Sequence, residues 1–507
     1  MPVDKQNNAD IIIYAGLFLL SLAVVFPSSY NPVSFTRMHV DSSVYITIAQ
    51  GITRGQLPYM DFVDNKGPLT YLLSVPGLML GRLAGVWITE LILMFVSVIF
   101  AYKTALFFSN NKLLALLGTV CGFIELYSFF GVSAGTEEYS LPFLMISLYL
   151  FTKYYFSPER DIGLTELLIL GACFACAVLI RLNMFPLWAG FCVIIFIESI
   201  IKRRFVPLVK YVLGFCAGII IIAVPVFLYL KLNGILNDFF DQVIYGGAAK
   251  GFSDASSIKQ TAKNFFVVFG RGYSFLPLVM GVFWLITNWT CSETEVSEQV
   301  YHKKNDFSFY LGYTVSYILM LLFLSFSGGG SHYNLVLIPF FIPAFTFFVK
   351  LVYSAFSGVK KRNIALVLFL CVFFLEYLAK WLDDLAEMFY SDSGAQLIRA
   401  GKMIDENTMP GDKIISLGSG YIYPFTKREA ASKYIYQGAG IDQIFPGARE
   451  KFLSDIFGNK PAIIAVFSAD DLRYDYLPDW YAPVYKLIDE DYRLLSDENG
   501  YFLFIRK

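Results

Sequence analysis

Long apolar runs are the feature that most constrains this chain. About eleven segments approach the roughly 20 apolar residues that a helix needs to cross a membrane. Of the 507 residues, 56% are hydrophobic and only 16% are charged, whereas soluble domains carry about 25% charged residues. The sequence predicts an α-helical polytopic membrane protein and excludes most soluble enzymes. The predicted spans lie near residues 11–29, 86–108, 113–131, 138–156, 163–182, 184–201, 207–230, 272–288, 307–326, 334–353 and 363–380.

Basic residues in the loops predict the orientation of these spans. With a cytoplasmic N-terminus, Lys202-Arg203-Arg204 and Lys360-Lys361-Arg362 both fall in cytoplasmic loops, as the positive-inside rule requires. The loop 30–85 and the chain beyond about Lys380 then face the outside. We expect a multi-pass membrane protein with a cytoplasmic N-terminus and with its C-terminal part outside the cytoplasm.

The last quarter of the chain differs in composition, because charged residues return and apolar runs shorten. Alternating helix and strand signals predict a small α/β domain, which ends in a β-hairpin. We therefore expect two domains, a transmembrane module over 1–385 that includes the external loop 30–85, and an extracytoplasmic α/β domain over 386–507. The signals are helices at 395–405 and 448–457, strands at 413–417 and 462–467, and hairpin strands at 492–495 and 501–505.

Two motifs in the external loop carry candidate functional groups. Asp41 precedes apolar residues at helical spacing, so capping of a helix over Ser42–Arg54 is the plainer interpretation, with a role as a base as the alternative. Asp64-Asn65-Lys66-Gly67-Pro68 predicts a tight turn. The turn presents the Lys66 ammonium, a charge suited either to a specific phosphate or to lipid headgroups in general.

Other candidates lie at predicted outer ends of spans. The planar guanidinium of Arg181 suits phosphate oxygens. An arginine at a membrane edge, however, often only extends its side chain to the polar interface. Glu137 lies at the outer mouth of the span near 138–156. His332 and Tyr333 follow three glycines, which allow close backbone approach to a ligand or simply form a flexible link. His332 suits a carboxylate, a metal or a phosphate partner.

With these motifs, the chain resembles the GT-C superfamily of membrane glycosyltransferases. The nearest branch is bacterial and is related to protein O-mannosyltransferases and the lipid A aminoarabinose transferase. The resemblance covers roughly Ile11 to Lys380. It rests on Asp41-Ser42-Ser43-Val44-Tyr45, on Pro58-Tyr59-x-Asp61-Phe62-x-Asp64-Asn65-Lys66-Gly67-Pro68-Leu69, and on His332-Tyr333 before an apolar helix with prolines.

The resemblance implies a glycosyltransferase with a sugar donor carried on polyprenyl phosphate. Transfer would occur on the external face, with inversion, to a lipid, glycan or protein acceptor. Asp41 would serve as the base or orient the acceptor, and Lys66 and Arg181 would bind the donor phosphate. The remaining implied donor or acceptor contacts are Asp64, Glu137, His332 and Tyr333.

A departure from the family pattern bears on metal binding. Relatives of the aminoarabinose branch carry a metal-binding glutamate directly before the lysine, where this chain has Asn65. A divalent metal (Mg, Mn or Zn) stays open, with Asp64 and His332 as candidate ligands.

Two other functions stay open at this stage. A transporter or flippase of lipid-linked sugars would need no base, and it would show repeated halves with broken helices at the membrane midplane, neither of which the sequence shows. The few intramembrane carboxylates in the first half, Glu90 and Glu125, argue against a proton-coupled transporter. A non-catalytic envelope scaffold would fit the departure at Asn65 and a second one at Ser42, where the early motif of the family often has another acidic residue. The net charge of −1 gives no reason to expect a nucleic-acid partner.

Overall fold

The computed structural model describes residues 3–33, 40–129, 135–254, 257–290, 307–328, 330–356, 358–390, 393–418, 420–437, 441–467, 479–497 and 501–507. A helix covers most of each predicted span. The helices are α1 (Val3–Val25), α2 (Val40–Thr53), α3 (Leu69–Leu72), α4 (Val75–Ser109), α5 (Lys112–Ile124), α6 (Thr136–Phe156), α7 (Leu164–Ile180), α8 (Pro186–Ile201), α9 (Phe205–Leu232), α10 (Leu236–Phe239), α11 (Gly246–Asp254), α12 (Ile258–Phe269), α13 (Leu276–Thr290), α14 (Phe307–Phe326), α15 (Ile338–Ser354), α16 (Val359–Tyr390), α17 (Ser393–Glu406), α18 (Ile441–Ile444), α19 (Ala448–Asn459) and α20 (Ala482–Asp491).

Several helices have the length and apolar composition of membrane spans. Among the described residues, four helical stretches are long and apolar enough to cross a membrane: α4, α9, α14 and Ser331–Ser354. Shorter apolar helices occupy Asp10–Val25, Leu164–Ile180, Pro186–Ile201 and Leu276–Thr287. The chain is thus a multi-pass membrane protein, and the larger number of spans stays a prediction.

The bundle packs mainly through neighbouring helices, with extensive contacts of α7 with α9, of α8 with α14 and of α4 with α6. Helix α4 bends at Gly81 and Arg82, where the backbone leaves helical geometry. On either side of the bend, the backbones of Gly77 and Gly85 approach so closely that neither position has room for a Cβ atom. The bend therefore folds the start of α4 back against the residues that follow the bend.

The C-terminal part contains a five-stranded sheet with the strand order β2-β1-β3-β5-β4. Strand β1 pairs parallel with β2 and β3, and β5 pairs antiparallel with β3 and β4. The two predicted single strands and both hairpin strands are present, whereas β2, α18 and α20 were not predicted. The hairpin turn at 498–500 lies outside the described residues. The strands are β1 (Lys413–Leu417), β2 (Glu429–Ala430), β3 (Ile463–Phe467), β4 (Tyr492–Ser496) and β5 (Tyr501–Arg506).

One hydrophobic cluster joins the 30–85 stretch to this sheet. Ile46 of α2, Tyr59 and Tyr71 share a buried core with Ile414 of β1 and Ile463 of β3. Burying this apolar surface fixes α2 between the helical bundle and the sheet. The predicted boundary at 385/386 falls within α16, and the division into two domains stays a prediction.

Candidate active site

Asp41 lies in the first turn of α2. The sequence placed the start of this helix at Ser42 with Asp41 as its cap, but the helix begins at Val40. Residues Ser42 to Ala49 are all buried, whereas Asp41 is exposed. The helix is therefore anchored, and its dipole favours a negative charge at this first turn. His39, part of the same polar stretch, lies outside the described residues.

The predicted turn around Lys66 is docked on the end of α7. The Gly67 amide donates to the Ile180 carbonyl at 3.0 Å, and the Thr70 hydroxyl donates to the same oxygen at 3.0 Å. The Leu179 carbonyl lies so close to Gly67 that a Cβ atom would collide with it. Because Arg181 directly follows Ile180, this contact brings the Lys66 turn beside Arg181.

Asp64 holds the turn together. Its carboxylate accepts hydrogen bonds from the Tyr71 hydroxyl at 2.7 Å and from the Asn65 amide at 2.8 Å. The Asp64 amide donates to Gln242 Oε1 at 3.1 Å. Burial raises the pKa of Asp64 even though the Lys66 charge opposes the shift. Both carboxylate oxygens thus have partners inside the turn.

Gln242 clamps the turn from the opposite side. Besides its contact with Asp64, its Nε2 donates to the Tyr59 carbonyl at 2.6 Å. It lies in a π-helical segment, Phe240–Tyr245, a geometry that is frequent at functional sites. Tyr59 itself has a φ of +69°, a rare conformation for a non-glycine residue. The backbone leading to Lys66 is thus held in place by side chains distant in sequence.

The Lys66 ammonium donates to Asn65 Oδ1 at 2.8 Å. The Asn65 side chain therefore accepts a hydrogen bond from Lys66. The family resemblance leads us to expect a metal-binding glutamate at this position. Burial lowers the pKa of Lys66, and the nearby positive charge of Lys250 lowers it further. Like charges gathered in this way attract an anion.

Lys250 was missed by sequence reasoning. It lies in α11, which packs against α18 of the C-terminal part. The only signal in the sequence was the small-residue run Gly246-Gly247-Ala248-Ala249 directly before it. Lys250 belongs to no recognisable motif in the sequence. Its place near Lys66 therefore follows only from the tertiary structure.

Asp41 carries its negative charge among these cations. The protein atoms packed around Asp41 disfavour its charged carboxylate, but neighbouring positive charges outweigh this effect and hold the pKa of Asp41 below its ordinary value. In decreasing order of effect, the neighbours are Lys66, His332, Lys250 and Arg181. The structure therefore brings together residues that lie more than 200 positions apart in sequence.

Arg181 is positioned by two partners. It forms an ion pair with Glu137 in which the two side chains are only 11% and 5% exposed. Its guanidinium also lies 4.2 Å from the centre of the Tyr333 ring, a cation–π contact. Tyr333 in turn meets the His332 ring edge-to-face, with 4.2 Å between ring centres. These contacts fix the direction of an arginine that has five N–H donors.

A cavity of about 290 Å³ opens beside this cluster. It unites Asp41, Glu137 and His332, three of the residues proposed from sequence, and adds Glu138 and Tyr421, which were not proposed. Lys66, Asp64, Arg181 and Tyr333 lie outside its lining. The lining residues are Val40, Asp41, Ser42, Tyr45, Gly135, Glu137, Glu138, His332, Leu335 and Tyr421.

The residues proposed as metal ligands do not form a ligand set. Within the described part of the chain, no group of three or more His, Cys, Asp and Glu side chains is arranged to hold a metal ion. Asp64 already accepts two hydrogen bonds in its turn. We therefore derive no metal-dependent step for this site.

Comparison by sequence identifies a family. Residues 4–341 match the family of the competence-induced Ccs4 N-terminal domain. The chain belongs to this family. A comparison with curated proteins finds no match.

Comparison by structure identifies the fold. ArnT from Cupriavidus metallidurans aligns with a TM-score of 0.59 and 12% identity over 98% of both chains, in its apo state and bound to undecaprenyl phosphate. The GT-C fold expected from the resemblance is thereby confirmed. An oligosaccharyltransferase from Archaeoglobus fulgidus, in complex with Zn and sulfate, aligns with a TM-score of 0.48 and 12% identity over 90% of this chain and 68% of its own.

Proposed function

We propose that this protein is a glycosyltransferase that moves a sugar from a polyprenyl-phosphate donor to an acceptor hydroxyl. One observation carries the proposal. The exposed carboxylate of Asp41 lines a cavity and lies within electrostatic range of three cations, Lys66, Lys250 and Arg181. Support comes from the shared fold with ArnT, one structure of which holds undecaprenyl phosphate.

In this proposal the cation cluster binds the donor phosphate. Lys66 and Lys250 supply point charges, and Arg181 supplies a planar fork of N–H donors. Glu137 and Tyr333 set the direction of that fork. Positive charge fixed beside the departing phosphate stabilises the negative charge that develops as the sugar leaves. The polyprenyl chain follows the apolar surface between helices.

Asp41 acts on the acceptor. Because its pKa lies below the ordinary range, Asp41 is ionised at neutral pH and accepts a hydrogen bond from the acceptor hydroxyl. The acceptor oxygen forms a bond to the anomeric carbon while the bond to the phosphate oxygen breaks. The hydroxyl proton passes to Asp41 and polyprenyl phosphate leaves. A single displacement of this kind inverts the anomeric configuration.

We further propose that the site faces the outside of a bacterial plasma membrane. The Lys202-Arg203-Arg204 cluster follows α8, whose other end is near Arg181, so the basic loop and the site lie at opposite ends of the bundle. The positive-inside rule places such a loop in the cytoplasm. The N-terminus is then cytoplasmic and the C-terminal sheet lies outside.

The test uses purified full-length protein in vesicles that contain synthetic undecaprenyl-phosphate sugars, with envelope extract as the acceptor source. We expect release of undecaprenyl phosphate and transfer of the sugar with inverted configuration. Asp41→Asn should lower transfer about 100-fold or more, since a positioned base contributes roughly 10²–10⁴. Asp61→Asn, in the same loop, is the matched control and should retain activity.

Outcomes that contradict the proposal are specific. Full transfer by Asp41→Asn would show that Asp41 is neither base nor orienting group. Movement of intact lipid-linked sugar across the vesicle without release of undecaprenyl phosphate would indicate a flippase. Binding of undecaprenyl phosphate without either reaction, over the full set of sugars, would indicate a scaffold.

A further inference from the structure

The C-terminal part supplies one wall of the cavity that contains Asp41. Tyr421 lies in the lining opposite the helices, in a segment that follows β1. The neighbouring Gly420 lies close to α2, because a Cβ atom added to it would be 3.8 Å from the Ser43 hydroxyl. Gln50 of α2 donates to the Pro424 carbonyl at 3.0 Å. The segment that carries Tyr421 is therefore fastened to the helix that carries Asp41, and the two side chains keep a fixed relation.

A second tyrosine, Tyr436, lies in a nearby segment. A Cβ atom added to Gly420 would be 3.0 Å from the carbonyl oxygen of Ile435, so the chain just before Tyr436 passes close to the chain just before Tyr421. The Tyr436 side chain is 41% exposed. Burial raises the pKa of Tyr436, and the negative charge of Asp41 adds to the shift, which places the phenol within electrostatic range of that carboxylate. Two aromatic side chains thus approach the acceptor side of the site.

The residues that line the cavity are mainly acidic, whereas the neighbouring cluster of Lys66, Lys250 and Arg181 is positively charged. Three carboxylates, Asp41, Glu137 and Glu138, and one histidine line the cavity, whereas the lysines lie outside the lining. Glu137 is paired with Arg181, and the carboxylate of Glu138 accepts a hydrogen bond from the Gly135 amide at 2.8 Å. Once a donor phosphate engages the cations, the cavity presents mainly negative groups. A like charge on a second ligand would be repelled.

We propose that this cavity binds a hydroxyl-rich acceptor without negative charge, a saccharide whose ring packs on Tyr421 beside Asp41. The proposal rests on the proposed function and names the acceptor class for the same site. The volume of about 290 Å³ is close to the lower end of the roughly 300–1,000 Å³ of small-molecule sites. The negative face of an aromatic ring attracts the positively polarised C–H groups of a sugar. Carboxylates accept hydrogen bonds from sugar hydroxyls.

Consequently, acceptors rich in phosphate or carboxylate are excluded by this site. Teichoic-acid-like polymers and anionic lipid headgroups belong to that class, and so do acidic protein segments. Neutral and amine-bearing glycans belong to the accepted class. Selection follows from the arrangement of charge, because the cations bind the phosphate of the donor and acidic residues line the cavity that receives the acceptor.

The test measures binding of two disaccharides of matched size. The full-length protein in phosphatidylcholine nanodiscs, saturated with undecaprenyl phosphate, is mixed with N,N′-diacetylchitobiose, which is neutral, or with the hyaluronan disaccharide, which carries a carboxylate. Saturation-transfer difference NMR reports binding. We expect chitobiose to bind and the hyaluronan disaccharide to bind about tenfold more weakly or not at all. Equal binding of both, or binding of neither, would overturn the proposal.

Variants test the role of the tyrosine. Tyr421→Ala should weaken chitobiose binding about tenfold, whereas Tyr421→Phe should retain most of it, because the ring face is kept. Tyr14→Ala, on α1, is the control and should bind like the unchanged protein. Undecaprenyl phosphate binding is measured in the same samples. If that binding is absent, the proposed function fails; if only the disaccharide results fail, the acceptor proposal alone is wrong.

Discussion

Two buried ion pairs lie at opposite ends of α6. Glu137, in the first turn of the helix, pairs with Arg181. Arg160, just beyond the last turn, pairs with Glu198 at 2.8 Å. The 21 residues of α6 span about 30 Å at 1.5 Å per residue, close to the thickness of a bilayer core. Both pairs are well shielded, with side chains at most 11% exposed.

The surroundings of the two pairs differ. Glu198 is shared between Arg160 and Lys202, so negative charge is matched within the cluster, and Arg160 packs against the Tyr155 ring at 5.6 Å. Glu137 instead lines a cavity, and its partner Arg181 adds to the positive charge around Asp41. A buried charge at a membrane end thus marks a site only when a cavity and further charges of one sign accompany it.

Breaking each pair should give the largest effects. Arg160→Ala leaves Glu198 with only the half-exposed Lys202 as a partner. We expect the free energy of unfolding to fall by less than the roughly 3–5 kcal/mol that a buried charge without any partner costs. Arg181→Ala should destabilise the protein through Glu137 in the same way, and it should also weaken undecaprenyl phosphate binding. Unfolding and binding are measured in nanodiscs. The double change Arg160→Met with Glu198→Gln is the control and should recover most of the stability, because no unpaired charge is left.

One result would contradict the proposed difference between the two ion pairs of α6. If Arg160→Ala protein that is still folded loses undecaprenyl phosphate binding as strongly as Arg181→Ala does, the two ends of α6 are not functionally distinct.

Substitution of a lysine near each end of the bundle should have different effects on undecaprenyl phosphate binding, with little effect on stability. Lys66→Ala should weaken undecaprenyl phosphate binding about 10- to 100-fold, since a hydrogen bond to a charged group contributes roughly 1.5–3 kcal/mol. Lys210, which pairs with Asp161 at 2.8 Å and is 40% exposed, gives the matched control. Lys210→Ala should leave binding unchanged. Equal affinities for the Lys66 variant and the unchanged protein, by calorimetry or native mass spectrometry, would remove Lys66 from the phosphate site.

The glycine before Pro68 tests whether the docked turn matters. Gly67→Ala would press a methyl group against the Leu179 carbonyl, and such overpacking costs about 1–3 kcal/mol. Displacement of the turn moves Lys66, so we expect several-fold weaker undecaprenyl phosphate binding. Gly16→Ala, where a Cβ meets open space, should change neither stability nor binding. Tight binding by the Gly67 variant would mean that the turn tolerates movement.

The smallest expected effect is a shift of the pH profile. The pKa of Lys66 is lowered by burial and by Lys250, so its ammonium loses the proton below the ordinary lysine pKa of about 10.4. The positive charge of Lys66 is present at low pH and is lost as the pH rises. Undecaprenyl phosphate binding should therefore decline at a lower pH than it would with a lysine of ordinary pKa. Lys66→Arg should move that decline to higher pH, because arginine stays protonated. An identical alkaline decline in both proteins would exclude Lys66 as the titrating group.

Much of the fold was readable from the sequence. Apolar runs of helical length predicted where the long helices lie, because the membrane leaves few alternatives to a helix. The strands β1 and β3 and the final hairpin followed from alternating apolar residues and turn signals. The two-residue strand β2 and the short helix α18 were missed, because elements of this length carry no periodic pattern and depend on their neighbours.

The site was readable only in part. Asp41, Lys66, Arg181 and His332 each stood in a local pattern that drew attention, and the structure brings them together. The sequence treated Asp64 as a candidate ligand, whereas the structure engages it with Tyr71 and a backbone amide. Lys250 carried no motif signal, because its significance is its distance from Lys66, which no spacing along the chain reveals.

By itself, the sequence determined that the chain is a multi-pass helical membrane protein with polar motifs between its apolar runs, because hydrophobic length and turn chemistry act locally. Only the tertiary structure decided which of those motifs meet. The contact of Gly67 with the end of α7 places Lys66 beside Arg181, and the core shared by α2 and the sheet brings Tyr421 to the cavity of Asp41. Such meetings depend on packing between elements that are distant in sequence, and burial of their common apolar surface is the physical cause.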